Sequence, residues 1–578
     1  MKKIFLVLVS LIFLFSLSLF ASTNSQKYYP VSSLEWRSVN ELCHLAGVVG
    51  PTSNGPVTRA QLQLALERTE EFIEPDNPIL LDMKEKLNKD YAFYSDDFGS
   101  ISLIGILSPE VYGQVNKDEE NSWILDYSWV IKNHLDRKSA AVLLLENTIS
   151  DTLYTRFGFE YRQKVSGEKN IWTKNFHSSF YGSRLVQNFP FDAGVSLGTK
   201  GLSLILGRGH VSLGEGYTGN TAIGDNYDYQ EFMKAGFFTR NTSVFITLTS
   251  FDSSHGEDVT KPWAVKTSQF SGYKNIRHSA GYDIVLFNKH KISLSFITLL
   301  DTDTAFDFRY LNPFMILHNM YNFHEGHSLE ANNMITLDYS VSVAPKWNIY
   351  MQLTMDQLQI KGETDGYIDR LGYTDPNAFG GLLNLSYTDM IKSESILNLY
   401  GEVVYNMPGM YLNSKFYDEN GNVTQLKTNK RCWSQDFLLG YSREEESGDD
   451  SAYSGYIYGP DCVVVSIGGT IRKPNSYNVS SSVMYMAHGE KGRGSDYSNY
   501  TFDGIDKKED VNRLSLTGTI EHSFIYKTEA EIQLRDYLSF SFGGAYQHRW
   551  NYMNTENKKY SNLQLFVGLK LSTISFTV

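Results

Sequence analysis

The chain has 578 residues, 42% of them hydrophobic and 14% aromatic, with a formal net charge of −13. That acidic balance excludes nucleic acid as the main partner, because a phosphate backbone demands a basic face. A mean hydropathy of −0.30 is foreign to a bundle of membrane-spanning helices but ordinary for a membrane β-barrel, whose spanning unit is about ten alternating residues.

Lys2 and Lys3 precede an apolar run from Ile4 to Phe20 and then Ala21-Ser22-Thr23, the pattern of a secretory signal peptide over residues 1–21. Residues 22–97 have helical periodicity and read as a small periplasmic domain. Ser32 or Ser33 caps a helix through Trp36, Val39, Leu42 and Leu45 that ends near Gly47. Thr58 caps a second through Leu62, Leu66 and Phe72; Pro75 to Pro78 break the chain and Ile79 to Leu87 restart it. So short a segment buries little core alone, so it is expected to dock on the barrel's periplasmic end.

From 98 to 578 the chain reads as a series of alternating strands with no amphipathic helix between them. In Trp347 to Asp356 the residues Trp347, Ile349, Met351, Leu353 and Met355 share one face, while Asn, Gln, Thr and Asp take the other. A barrel of this length is too wide for side chains alone to fill, so the apolar face must meet lipid and the polar face a wet interior. Strand and loop lengths give about sixteen to eighteen strands, and eighteen is preferred because single-chain barrels favour even numbers. The long polar connections Ser253 to Lys274, Glu363 to Pro376, Asn413 to Cys432 and His488 to Asp510 are expected on the extracellular side. Composition fits, with 38 Tyr and 34 Phe for interfacial girdles and for stacking on sugars.

Gly214-Glu215-Gly216-Tyr217-Thr218-Gly219 matches the dinucleotide fingerprint in spacing, but Asn220 to Asn226 shows no helical face to meet a pyrophosphate, so it reads as a glycine-rich loop. Arg208 closes the apolar run Leu202 to Gly207 and is expected to be pinned in the lumen or at a rim by Glu215 or Asp225. Asn332, Asn333, Asp338 and Asp356 offer inward oxygens suited to hydroxyl recognition or simply to lining water. His324-Glu325-Gly326-His327 with His318 lacks the H-E-x-x-H spacing and a helix to align it, so no metal is expected. Glu444-Glu445-Glu446 with Asp449 and Asp450 reads as a solvated loop, and no serine is flagged for lipase chemistry. Cys43, Cys432 and Cys462 form an odd set, Cys43 reading as a buried helix residue.

Two stretches carry a family resemblance. Gly207-Arg208-Gly209-His210-Val211-Ser212-Leu213-Gly214-Glu215-Gly216 followed by Asp225-Asn226 resembles the strand-and-loop signature of Wzi-type capsule assembly proteins, with Leu213 where that family often carries Trp. Tyr310-Leu311-Asn312-Pro313-Phe314, then Glu330-Ala331-Asn332-Asn333-Met334, Asp338 and Asp356-Gln357, is similar to the family's central barrel segment. Residues 40–61 resemble both that family's N-terminal segment and surface-layer-homology units. The resemblance implies an eighteen-stranded outer membrane barrel with a periplasmic helical bundle. It further implies a lectin that helps hold capsular polysaccharide on the cell surface; the chain is expected to be monomeric, non-enzymatic and cofactor-free, in contact with outer membrane lipids. Its glycan-contact candidates are Arg208, Glu215, Tyr217, Asp225, Asn226, Asn332, Asn333, Asp338 and Asp356. A passive porin or solute channel is the alternative that the same polar lumen would serve.

Overall fold

The computed structural model describes residues 24–573 except 74–76, 78–79, 82, 85–86, 88–93, 96–98, 116–137, 162–171, 176–190, 228, 252–273, 303–310, 315–329, 359–376, 393, 412–414, 418–422, 427–433, 438–449 and 491–513. The signal segment, Cys432, the His318 to His327 motif and Glu444 to Asp449 lie outside the described residues, as does most of each long loop.

The wall is a closed antiparallel barrel of eighteen strands, as its length and alternation predict. In chain order they are β1 (Gly99–Leu107, resumed as Glu110–Gln114), β2 (Ala141–Ile149), β3 (Leu153–Tyr161), β4 (Phe191–Thr199), β5 (Leu202–Gly209), β6 (Gln230–Phe238), β7 (Thr242–Phe251), β8 (Lys274–Leu286), β9 (His290–Thr302), β10 (Glu330–Ala344), β11 (Trp347–Gln357), β12 (Ala378–Ile391), β13 (Ser395–Asn406), β14 (Cys462–Lys473), β15 (Tyr477–His488), β16 (Glu521–Arg535), β17 (Leu538–Trp550) and β18 (Lys559–Thr573). β18 pairs with β1 and shuts the ring, so no edge is left unpaired in the bilayer. Ser434–Phe437 is not in the wall; it pairs with Asp450–Tyr453 in a separate two-stranded sheet.

Alternation sets the two faces. On β5 Leu202, Leu204 and Leu206 are 52%, 42% and 57% exposed, whereas Ser203 and Ile205 are 4% and 1%. The first set is lipid-facing. One end of the barrel carries tight turns, such as the three-residue Phe287-Asn288-Lys289, in which Phe287 and Asn288 have φ of 56° and 57°. The other end carries the long connections, so the first is periplasmic.

The helical segment docks on that tight-turn end. Helix α1 (Leu34–Ala46) is capped by Ser33, whose hydroxyl accepts from Trp36 N, and stops at Gly47 in the left-handed region. Helix α2 (Arg59–Thr69) starts at Thr58 in a reciprocal capping box with Gln61 and ends before Phe72. Val49 N donates to Asn288 O at 2.9 Å, and Lys346 N to His44 O at 2.8 Å. Arg68 Nη1 donates to Arg240 O at 2.8 Å, so each contact falls on a hairpin turn. Buried His44 has no hydrogen-bond partner on either ring nitrogen among the described residues, and burial pushes its pKa down to about 3.

The interior is not simply wet. Loop residues Leu213, Ala222, Ile223, Met407, Met410, Tyr411 and Tyr456 form an apolar core inside the barrel with inward residues such as Phe245, Tyr350, Leu382 and Met486. Part of a wide barrel is thus filled by its own connections.

Candidate functional site

After Gly209 the chain turns inward, and its glycines explain the turn. Gly214 and Gly219 have φ of 127° and 130°, a region side chains rarely adopt, and a Cβ on Gly216 would lie 1.9 Å from Gly219 O. The G-x-G-x-x-G spacing therefore serves a folded-in loop. This loop meets residues 51–56, which rise from the helical cap: Gly55 N donates to Ser212 O at 2.9 Å and Gly214 N to Ser53 O at 3.2 Å, with Asn54 bridging Leu213. Segments that start at opposite ends of the barrel are thus stitched together within it.

Charges on the wall hold the junction. Lys291 of β9 pairs with Glu215, the two side chains being 2% and 5% exposed, and also donates to Pro51 O at 2.6 Å. Asp283 of β8 accepts from Thr52 Oγ1 at 2.6 Å and Asn54 Nδ2 at 3.0 Å, and Lys234 of β6 donates to Pro56 O at 2.8 Å. Asp338 lies buried opposite Gln352 in the β10–β11 ladder, and Gln352 accepts from Thr221 N at 2.7 Å. Asp356 accepts from Tyr411 N at 2.7 Å, and Asn226 Nδ2 donates to Gly455 O at 2.6 Å. Tyr411, whose pKa burial pushes up, stays a donor and reaches Thr221 O at 2.6 Å.

Tyr217 and Thr218 donate their backbone N–H groups to Glu402 at 2.7 and 2.8 Å. The Tyr217 ring stacks on Tyr400 at 3.9 Å and 4°, its hydroxyl reaches Asn398 Oδ1 at 3.2 Å, and 41% of the residue stays open to the lumen. Asp225 is part-exposed, 2.8 Å from His210 Nδ1, with Ser32 Oγ donating to it at 3.3 Å.

Two expectations fail on parity. Arg208 shares its face with Leu202, Leu204 and Leu206 and therefore points out of the barrel, not into it. Its partner is neither Glu215 nor Asp225 but Glu231, directly opposite on β6, at 2.9 Å, with the guanidinium 4.3 Å above the Phe191 ring. Asn333 shares the outward face with exposed Leu337 and accepts from Thr298 Oγ1 at 2.8 Å. The backbone of Asn332 pairs with Leu299, and its side chain is outside the described residues. The structure thus gathers Glu215, Tyr217, Asn226, Asp338 and Asp356 in the lumen, leaves Asp225 at its edge, and sends Arg208 and Asn333 outside. Lys234, Asp283, Lys291, Gln352 and Glu402 were missed. Their signal was a charged or long polar side chain at an inward position of a strand, where a short Ser or Thr would suffice for water.

No protein-family model and no curated protein matches the sequence. Among solved structures the chain is similar to Wzi of Escherichia coli, an outer membrane protein involved in group 1 capsule assembly and described as a carbohydrate-binding β-barrel. The TM-score is 0.51 at 11% identity, over 94% of this chain and 98% of that one. It also aligns with OccAB4 of Acinetobacter baumannii (TM-score 0.36, 9% identity, 82% and 98% covered) and OprD of Pseudomonas aeruginosa (0.35, 8%, 82% and 95%). At such identities a likeness is one of fold. The closed wall, its exposed apolar band and the likeness to Wzi place the chain in the outer membrane.

Proposed function

We propose that this protein is a non-enzymatic outer membrane barrel of the capsule assembly type, binding capsular or surface polysaccharide, with residues 1–21 as signal peptide, 22–97 as periplasmic helical domain and 98–578 as barrel. The observation that carries the reading is the filling of the lumen along its β6 to β14 side. Three segments, 51–56, 210–227 and 407–411 with 454–461, pack against one another and the wall by buried hydrogen bonds and an apolar core. A diffusion channel needs a continuous water path, which such packing opposes.

The glycan candidates divide accordingly. Glu215, Asn226 and Asp356 hold the folded-in loops, Asp338 lies buried in the wall beside Gln352, and Tyr217 and Asp225 keep open surface. An aromatic face and a planar carboxylate are what sugar hydroxyls and ring faces ask for. Planar-bilayer conductance together with retention of extracted capsular polysaccharide tests the reading. A barrel that stays electrically silent and retains the polysaccharide is expected; large steady currents without retention would replace this reading with the solute channel.

A further inference from the structure

The outward face of β15 to β18 carries basic side chains and, among the described residues, no carboxylate. Those four strands send no Asp or Glu outward: β15, β17 and β18 contain none, and Glu521, Glu529 and Glu531 of β16 alternate with outward His522, Tyr526 and Ile532. Arg535, opposite Leu538, stands at the turn end, while at the loop end the outward basic side chains are His522, His548 and Lys559. Register puts them side by side, with His522 opposite Trp550 and Trp550 opposite Lys559 in one row, and Phe524, His548 and Ser561 in the row beneath. Tyr485 Oη meets His522 Nδ1 at 2.7 Å, and Ser561 Oγ meets His548 Nδ1 at 2.5 Å. With Nδ1 accepting from those hydroxyls, the Nε2–H of each ring is left as a donor toward the surroundings. Exposed Tyr485, Tyr546 and Trp550 set this group at the level where aromatic girdles meet lipid headgroups.

We propose that this patch binds the phosphate groups of an outer-leaflet lipid. Charge decides the class of ligand. The Lys559 ammonium and two imidazole N–H donors at the end of an apolar wall fit an anion whose own tails lie along that wall, and phosphate supplies both charge and acceptors. Arg208 provides the contrast, since it stands on the same outer face beside its own carboxylate, Glu231.

Native mass spectrometry of the full-length barrel with lipid A bisphosphate, and with the same lipid dephosphorylated, tests the proposal. The wild type should hold the phosphorylated lipid more tightly, and each donor removed in H522F, H548F and K559Q should weaken it about fivefold at low salt. K559R should retain binding, and R208Q should leave it unchanged. Heat-modifiable gel mobility checks that each variant is folded; if the triple variant is not, the K559Q and K559R pair decides. Equal affinity for the two lipids, an unchanged triple variant, or displacement by millimolar inorganic phosphate alone would overturn the proposal.

Discussion

On the β6 to β13 side of the periplasmic half of the lumen, inward Lys291, Asn348 and Asp283 are buried; on the β15 to β16 side, inward Ser482, Lys527 and Glu529 are only half-buried. Both sets stand on the same pleated wall with the same alternation. The cap accounts for the difference. Its helices rest on the turns at Arg240, Asn288 and Lys346, and residues 51–56 climb the adjoining wall, where Lys234, Asp283 and Lys291 meet them. An inward polar residue is therefore a water ligand or a fastening point according to whether a segment of chain reaches it.

The comparison breaks most visibly at Lys291. Lys291→Met removes the charge from a pair hidden from solvent and leaves Glu215 uncompensated, a loss of about 3–5 kcal/mol. A matching fall in the temperature at which the barrel loses its compact gel mobility is expected, with the double change K291M/E215Q recovering much of it. An unchanged midpoint would mean that the junction is not held by this pair.

A smaller effect should follow acidity. His44 is neutral when buried, with its pKa lowered to about 3, whereas the undocked side chain protonates near 6.5. Docking is thus at full strength above pH 6.5 and weakens progressively as pH falls toward 3, by about 2 kcal/mol at pH 5. Limited proteolysis of the cap should accelerate between pH 7 and pH 5 in the wild type and much less in His44→Met. Equal acid sensitivity in both would assign the effect to other groups.

The least effect is expected outside. Arg208→Ala removes a part-exposed pair with Glu231 and a contact with Phe191, worth about 0–1 kcal/mol, and should leave both the lumen and polysaccharide retention unaltered. Loss of retention in this variant would return Arg208 to the glycan site that its position in the sequence first implied.

The sequence by itself determined the wall. A period of two is set by the pleat, so Trp347 to Asp356 announces its two faces without help from any neighbour, and Ser33, Gly47 and Thr58 announce the helix ends because capping is local. The same parity already placed Arg208 with Leu202, Leu204 and Leu206, although a charge beside acidic residues in sequence drew attention to the wrong partners. What fills the barrel was decided only in three dimensions. Glu215 and Lys291 are 76 residues apart, and Tyr217 and Asn398 are 181. Nothing local in a glycine-rich loop states whether it folds inward or outward; that depends on wall charges from distant strands and on a cap arriving from the opposite end, whose contacts exist only once the ring has closed.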